Sequence, residues 1–239
     1  MTTKMLCCRW VILIAAFFPI LSHLSPCQEE PGASPLIEAI WQEDLPKARR
    51  LLVFGAKLNV RDNYGATPLI AAITRRFSGF AEELVLAGAD PNFTGGANDS
   101  PLMLAAWECD VRVAKFLVGR GAVINAVDQD GTTPLMSASQ TCSEGEMVEF
   151  LIKAGANVNS KSRVGDTALI TAAFSGNNLA IKQLLAKGAD IWARGAENQT
   201  ATSVACNRVF GRTKSHDEAC SLLRTAEKTS SSEGKQSRQ

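Results

Sequence analysis

One short motif recurs along this chain at a nearly constant step. Thr67-Pro68-Leu69-Ile70-Ala71-Ala72 returns as Ser100-Pro101-Leu102-Met103-Leu104-Ala105 after 33 residues, and as Thr133-Pro134-Leu135 after 33 more. Thr167-Ala168-Leu169 follows at 34, and Ser34-Pro35-Leu36 precedes Thr67 by 33. A second ladder keeps the same step: Gly55-Ala56, Gly88-Ala89, Gly121-Ala122, Gly155-Ala156 and Gly188-Ala189. Two ladders sharing one period define a repeat architecture, in which each unit buries its apolar face against the next.

Each unit reads as helix, helix, turn. A Ser or Thr before Pro-Leu is a helix start, because the hydroxyl accepts an orphan backbone N–H and Pro at the first helical position sacrifices no bond. The small residues that follow (Ala71, Ala72; Ala105, Ala106; Ala172, Ala173) allow close helix packing. A second helix carries Phe116-Leu117, Phe150-Leu151 or Leu184-Leu185 and stops at Gly-Ala, where glycine supplies the left-handed residue of a helix end. Polar stretches then turn at Asn63-Tyr64-Gly65, Asp130-Gly131 or Val164-Gly165.

The period and the Thr-Pro-Leu starts resemble the ankyrin repeat over about Ser34 to Thr225. The Asn ladder (Asn59, Asn92, Asn125, Asn159), four residues past each of the first four Gly-Ala glycines, strengthens the resemblance. It implies an all-α solenoid with short β-hairpin tips, in five to six stacked units: 34–66, 67–99, 100–132, 133–166, 167–199 and a degenerate cap, 200–226. There are departures. The family's His after Pro-Leu is Ile37, Ile70, Met103, Met136 and Ile170 here, which removes a common polar bridge. Trp192 breaks the Asn ladder and is expected to plug the gap beside the irregular last unit, which opens on the weak match Thr200-Ala201-Thr202.

The ends differ from the middle. Lys4 and Arg9 precede an apolar run from Trp10 to Leu21, and Ser25-Pro26-Cys27 supplies small residues, the pattern of an export signal over 1–27 cut before Gln28. About a dozen apolar residues fall short of the roughly 20 that span a membrane. An uncleaved anchor over 10–24 is the alternative, and the only basis for a membrane association. Residues 28–33 form a polar linker. Glu38, Gln42, Glu43, Lys47, Arg49 and Arg50 suit the solvent face of a first repeat. Arg208 to His216 reads as a basic inserted loop, and 227–239, without apolar residues beyond Ala226, as a disordered tail.

Cys7, Cys8 and Cys27 fall in the export segment, leaving Cys109, Cys142, Cys206 and Cys220. Four cysteines in an exported chain permit disulfides in three connectivities. The resemblance puts Cys206 and Cys220 on the two helices of one repeat, an easy pairing. It puts Cys109 and Cys142 in equivalent slots of adjacent repeats, stacked roughly 10 Å apart, against the 5.5 Å or so between Cα atoms that a disulfide needs. Left unpaired, these are small apolar core residues. No Cys-x-x-Cys or Cys/His cluster suggests zinc.

Catalytic chemistry has no visible carrier. His23 and His216 are the two histidines, one in the export segment and one in the basic loop, and no Gly-x-Ser-x-Gly or phosphate-cradling loop occurs. Thr94-Gly95-Gly96-Ala97 falls where a tip belongs. A net charge of +1 gives no electrostatic footprint for nucleic acid. The expectation is a monomer without cofactor, metal or small-molecule substrate that binds another protein. The resemblance assigns that role to the tips and the exposed face of the first helices, a concave strip. Its positions include Arg61, Asn63, Tyr64, Arg75, Arg76, Trp107, Glu108, Gln129, Asp130, Lys161, Arg163 and Arg194. Tyr64 and Trp107 stand out because aromatics dominate interface energetics, although either could instead pack on its neighbour. A secreted effector, or a periplasmic regulator or protector of a neighbouring enzyme, are further readings.

Overall fold

A computed structural model describes residues 34–207 and 213–236. The expected export segment and linker (1–33), most of the expected basic loop (208–212) and the last three residues lie outside the described part. Each Thr/Ser-Pro-Leu signal opens a helix: α1 Pro35–Trp41, α3 Pro68–Thr74, α5 Pro101–Trp107, α7 Pro134–Thr141, α9 Ala168–Ser175 and α11 Ala201–Cys206. The second helices are α2 Leu45–Val53, α4 Ser78–Leu86, α6 Val111–Gly119, α8 Glu146–Lys153 and α10 Asn178–Ala186, and the chain closes on α12, Lys214–Gln236.

The caps act as their chemistry requires. The hydroxyls of Thr67, Ser100, Thr133 and Thr167 accept the N–H of Ile70, Met103, Met136 and Ile170 at 3.1 to 3.4 Å. Thr200, the weakest match, makes a reciprocal capping box with Ser203. Ser34 makes no side-chain cap bond. At the other end, Gly121 takes φ 87°, so the Ala122 N–H reaches the Leu117 carbonyl at 3.0 Å and satisfies an orphan acceptor.

First helices pack on first helices and second on second, unit by unit. Close approach is possible because Ala72, Ala105, Ala106, Ala138 and Ala173 leave no exposed surface. Leu36, Leu69, Leu102, Leu135 and Leu169 fill one buried row, and Leu84, Leu117, Leu151 and Leu184 a second. Each such leucine contributes about 1.5–3 kcal/mol. The exposed pairs Arg49–Glu83, Arg112–Glu82 and Lys115–Glu146 also join neighbouring units, but surface ion pairs are worth about 0.2–1 kcal/mol each. Packing therefore sets the stability.

The Asn ladder is the polar counterpart of that core. The Asn92 side chain accepts the Val123 N–H at 2.8 Å and donates to the Gly121 carbonyl at 3.0 Å, both in the next unit. Asn125 and Asn159 repeat the double bond onto the following units, and Asn59 accepts from Asp90 N–H. The five slots of the departed His (Ile37, Ile70, Met103, Met136, Ile170) are all buried, so apolar contact replaces the missing bridge.

Four expectations are corrected. Among the described residues no strand occurs; the tips are turns closed by isolated bonds such as Asp62 N–H to Ala66 O, 2.9 Å. Trp192 does not plug a gap but stays 52% exposed; α12 runs on as helix to Gln236, where each earlier unit turns at Gly-Ala to meet that slot. The expected disordered tail is helical as far as Gln236, since α12 is anchored by buried Ala219, Cys220 and Leu223 and propagates through residues that tolerate helix. Finally, part of the expected outer face of the first unit turns to the second, where Glu43 meets Arg75 and Arg49 meets Glu83.

Two disulfides tie the stack. Cys206 joins Cys220 with Cα atoms 5.0 Å apart, linking α11 to α12. Cys109 joins Cys142 across adjacent units at 5.5 Å. That approach is possible because Cys109 takes the left-handed φ 57° after α5, while Cys142 leaves α7 in an extended conformation at the start of a loop longer than its counterparts in the other full units.

Candidate partner-binding surface

The tips project from the stack on fixed geometry. Asp62 Oδ1 accepts the N–H of both Tyr64 (2.9 Å) and Ala66 (2.8 Å), and Asp128 does the same for Asp130 and Thr132. Tip-to-tip bonds run from Gln129 N–H to Ala97 O and from Arg163 N–H to Asp130 O. This scaffold holds Tyr64 out in solvent, 94% exposed. The reading of Tyr64 as a packed tip residue is therefore wrong. Trp107, at the end of α5, is 47% exposed.

The charged candidates divide. Arg61 is spent on Thr94, donating to its carbonyl (2.8 Å) and hydroxyl (3.1 Å) while lying over the Phe93 ring. Arg75 pairs with Glu43 and covers Trp41, and Arg76 pairs with Glu108. Gln129 donates to Gly96 O and Arg194 to Asn198 O. These six, counting Glu108, brace neighbouring segments. Asn63, Asp130, Lys161 and Arg163 stand exposed at the tips.

Other exposed apolar groups escaped the sequence reading. Val164 occupies the tip slot of Tyr64 and is 61% exposed; Val127 is 48% exposed. Phe174, 51% exposed, lies next to the end of α9 in the repeat slot that Trp107 fills in α5 and Trp41 in α1. Aligning the units by their period would have revealed it.

Beneath the tips, Asp99 has its carboxyl raised above the usual range, first by burial and then by the neighbouring Asp128 charge. A raised folded-state value penalises the ionised form, so this group favours the fold most at low pH and loses that contribution as pH rises through its titration. Asp99→Asn is expected to melt slightly above the parent near pH 7, with the gap closing at about pH 3. Paired thermal melts at the two pH values check it; a gap that widens in acid would refute the assignment.

Among the described residues no group of three or more His, Cys, Asp and Glu side chains is arranged to hold a metal ion. Nor is any described helix long and apolar enough to cross a membrane.

Stacked helix pairs, capped tips and a strip of exposed side chains define a repeat-built solenoid. The sequence model described as "Ankyrin repeats (3 copies)" matches residues 77–162, 102–195 and 141–230, together more than half of the chain. The chain belongs to the ankyrin repeat family. Repeats of this family generally mediate protein–protein interaction, and proteins built from them are typically non-catalytic scaffolds. No curated protein matches the chain significantly.

Proposed function

We propose that this chain is an exported, non-catalytic scaffold that binds a partner protein through its tips and the exposed ends of its first helices. The observation carrying this reading is the pair Tyr64 and Trp107, large aromatics held in solvent on a rigid frame. Tyr and Trp are the side chains that supply most energy at protein interfaces. Asn63, Asp130, Lys161 and Arg163 add exposed polar side chains at other points of the tips, while the remaining candidates brace the frame.

A photo-crosslinking residue placed at 64 or 107, in the native host, is expected to capture one protein that the same residue at the outer position 54 does not. Tyr64→Ala and Trp107→Ala should each weaken binding of that protein by about thirtyfold, or roughly 2 kcal/mol, at unchanged melting temperature. Parental affinity in both variants would refute the surface.

Export is supported by the basic-then-apolar start and by the two disulfides, which persist in oxidising compartments. Intact mass from the native host should lack residues 1–27 and show no alkylatable thiol before reduction. A full-length mass with four reactive thiols in the repeats would instead place the chain in a reducing compartment.

A further inference from the structure

The bridge between the third and fourth units joins two unlike sulfurs. Cys109 is exposed, alone among the four cysteines of the described residues, whereas Cys142 is only 3% exposed. Beside them opens a cleft of about 280 Å³, lined by both cysteines and, among others, by Arg76, Glu108, Glu144 and Glu146. Three carboxylates there face one guanidinium. Arg76 pairs with Glu108 at 3.0 Å, and Lys115, from beyond the lining, reaches Glu146 at the same distance. The rim is acidic on balance. All of these residues lie between 76 and 147, in the middle of the stack and away from both ends of the described chain.

The surroundings already suit the reduced state. Cys142 Sγ stands 3.0 Å from the Ala106 carbonyl oxygen, and Cys109 Sγ 3.8 Å from both the Trp107 carbonyl oxygen and Thr141 Oγ1. A disulfide sulfur has no proton to donate, whereas a thiol is a weak donor. Opening the bond therefore leaves each sulfur with an acceptor within reach. The Thr141 hydroxyl donates to the same Trp107 carbonyl at 2.8 Å, which keeps the ends of α5 and α7 together when the covalent link is gone.

We propose that Cys109–Cys142 is a thiol-exchange site for a protein dithiol, entered at Cys109. Exchange requires a thiolate to reach one sulfur of the bond, and access decides which. Here Cys109 is the open side and Cys142 the buried one. The partner's thiolate bonds to Cys109 Sγ; the Cys109–Cys142 bond breaks, and its electron pair leaves on Cys142 Sγ, which takes a proton from water. The partner's second thiolate then attacks the partner's own sulfur in that mixed disulfide, and Cys109 leaves with the electron pair and is protonated in turn. The chain gains two thiols, the dithiol becomes a disulfide, and two electrons have passed. The reverse sequence recloses the bridge. The acidic rim selects the class of reductant. It repels anionic small thiols such as glutathione, whereas a protein can bring cationic groups beside its thiols. This chemistry needs neither Tyr64 nor the Trp107 side chain.

The test starts from the oxidised chain as its native host makes it, kept folded. It is mixed with excess cysteamine, a cationic monothiol that cannot complete the exchange, then acid-quenched, alkylated with N-ethylmaleimide and mapped by peptide mass. Expected are cysteamine on Cys109 and maleimide on Cys142. At low salt and equal thiolate concentration, glutathione should react slower than cysteamine by about threefold or more, the gap closing in high salt. Glu144→Gln, at an exposed position, should narrow that gap at unchanged melting temperature. A thioredoxin-type domain whose second active-site cysteine is replaced by alanine should be captured on Cys109. An adduct on Cys142, or exchange only once urea unfolds the stack, overturns the site. Glutathione as fast as cysteamine, or reaction with cysteamine but no capture of the dithiol domain, overturns the protein reductant. Either failure leaves the Tyr64 and Trp107 surface to stand or fall on its own crosslinking test.

Discussion

Phe80→Ala is expected to lower the unfolding free energy by about 3–5 kcal/mol. Phe80 lies in α4 and is 2% exposed, among the largest fully buried side chains. Its removal deletes apolar surface and leaves a void, and helices fixed on both sides by neighbouring units have little room to collapse into it. The loss also spreads, because a repeat stack is held by nearest-neighbour interfaces and a weakened second unit withdraws support from the first and third. Against a typical total of about 5–15 kcal/mol, such a cost threatens the whole stack. Phe54 is the internal control: it is 85% exposed, and Phe54→Ala should change stability by less than about 0.5 kcal/mol. Urea titrations followed by helical circular dichroism compare the two. A Phe80→Ala loss below 1 kcal/mol or so would mean that α4 is not part of the cooperative core.

Removing the inter-unit disulfide is the second large effect. Cys109 and Cys142 enclose a loop closed at a sequence separation of 33, and in the chain-entropy account a cross-link of that span stabilises by roughly 3–4 kcal/mol. The double variant Cys109→Ser, Cys142→Ala isolates the effect, with alanine chosen because position 142 is 3% exposed and a hydroxyl there would be buried. With Cys206–Cys220 intact, its urea midpoint should fall well below that of the oxidised parent. Mild reductant should bring the parent toward the variant. Equal midpoints for oxidised parent and variant would show that the adjoining units are already held by packing alone.

The architecture was readable because each unit carries its own local instructions. Thr67, Ser100, Thr133 and Thr167 cap the first helices in the sequence and in the structure, and the Gly-Ala steps end the second helices. Non-local consequences were harder to read. Arg75 and Arg76 look like free surface charge until Glu43 and Glu108, each 32 residues away, are brought alongside by the stacking. The same step would have exposed those pairs, since opposite charges one period apart are neighbours in a stack. The closeness of Cys109 to Cys142 depends on loop dihedrals that residue types alone do not set. The helical run to Gln236 grows from an anchored start, which composition does not register.

The Asn rungs also bear on how such a chain gains and loses length. Asn92, Asn125 and Asn159 grip backbone groups of the following unit, which every unit offers whatever its side chains. Excising residues 67–99 would bring Asn59 opposite Val123 N–H, the group Asn92 now holds, and the joint would close again. Excising residues 100–132 would restore the rung equally well but strand Cys142 without Cys109. The ladder makes units interchangeable, and the covalent bridge makes one neighbouring pair of them inseparable.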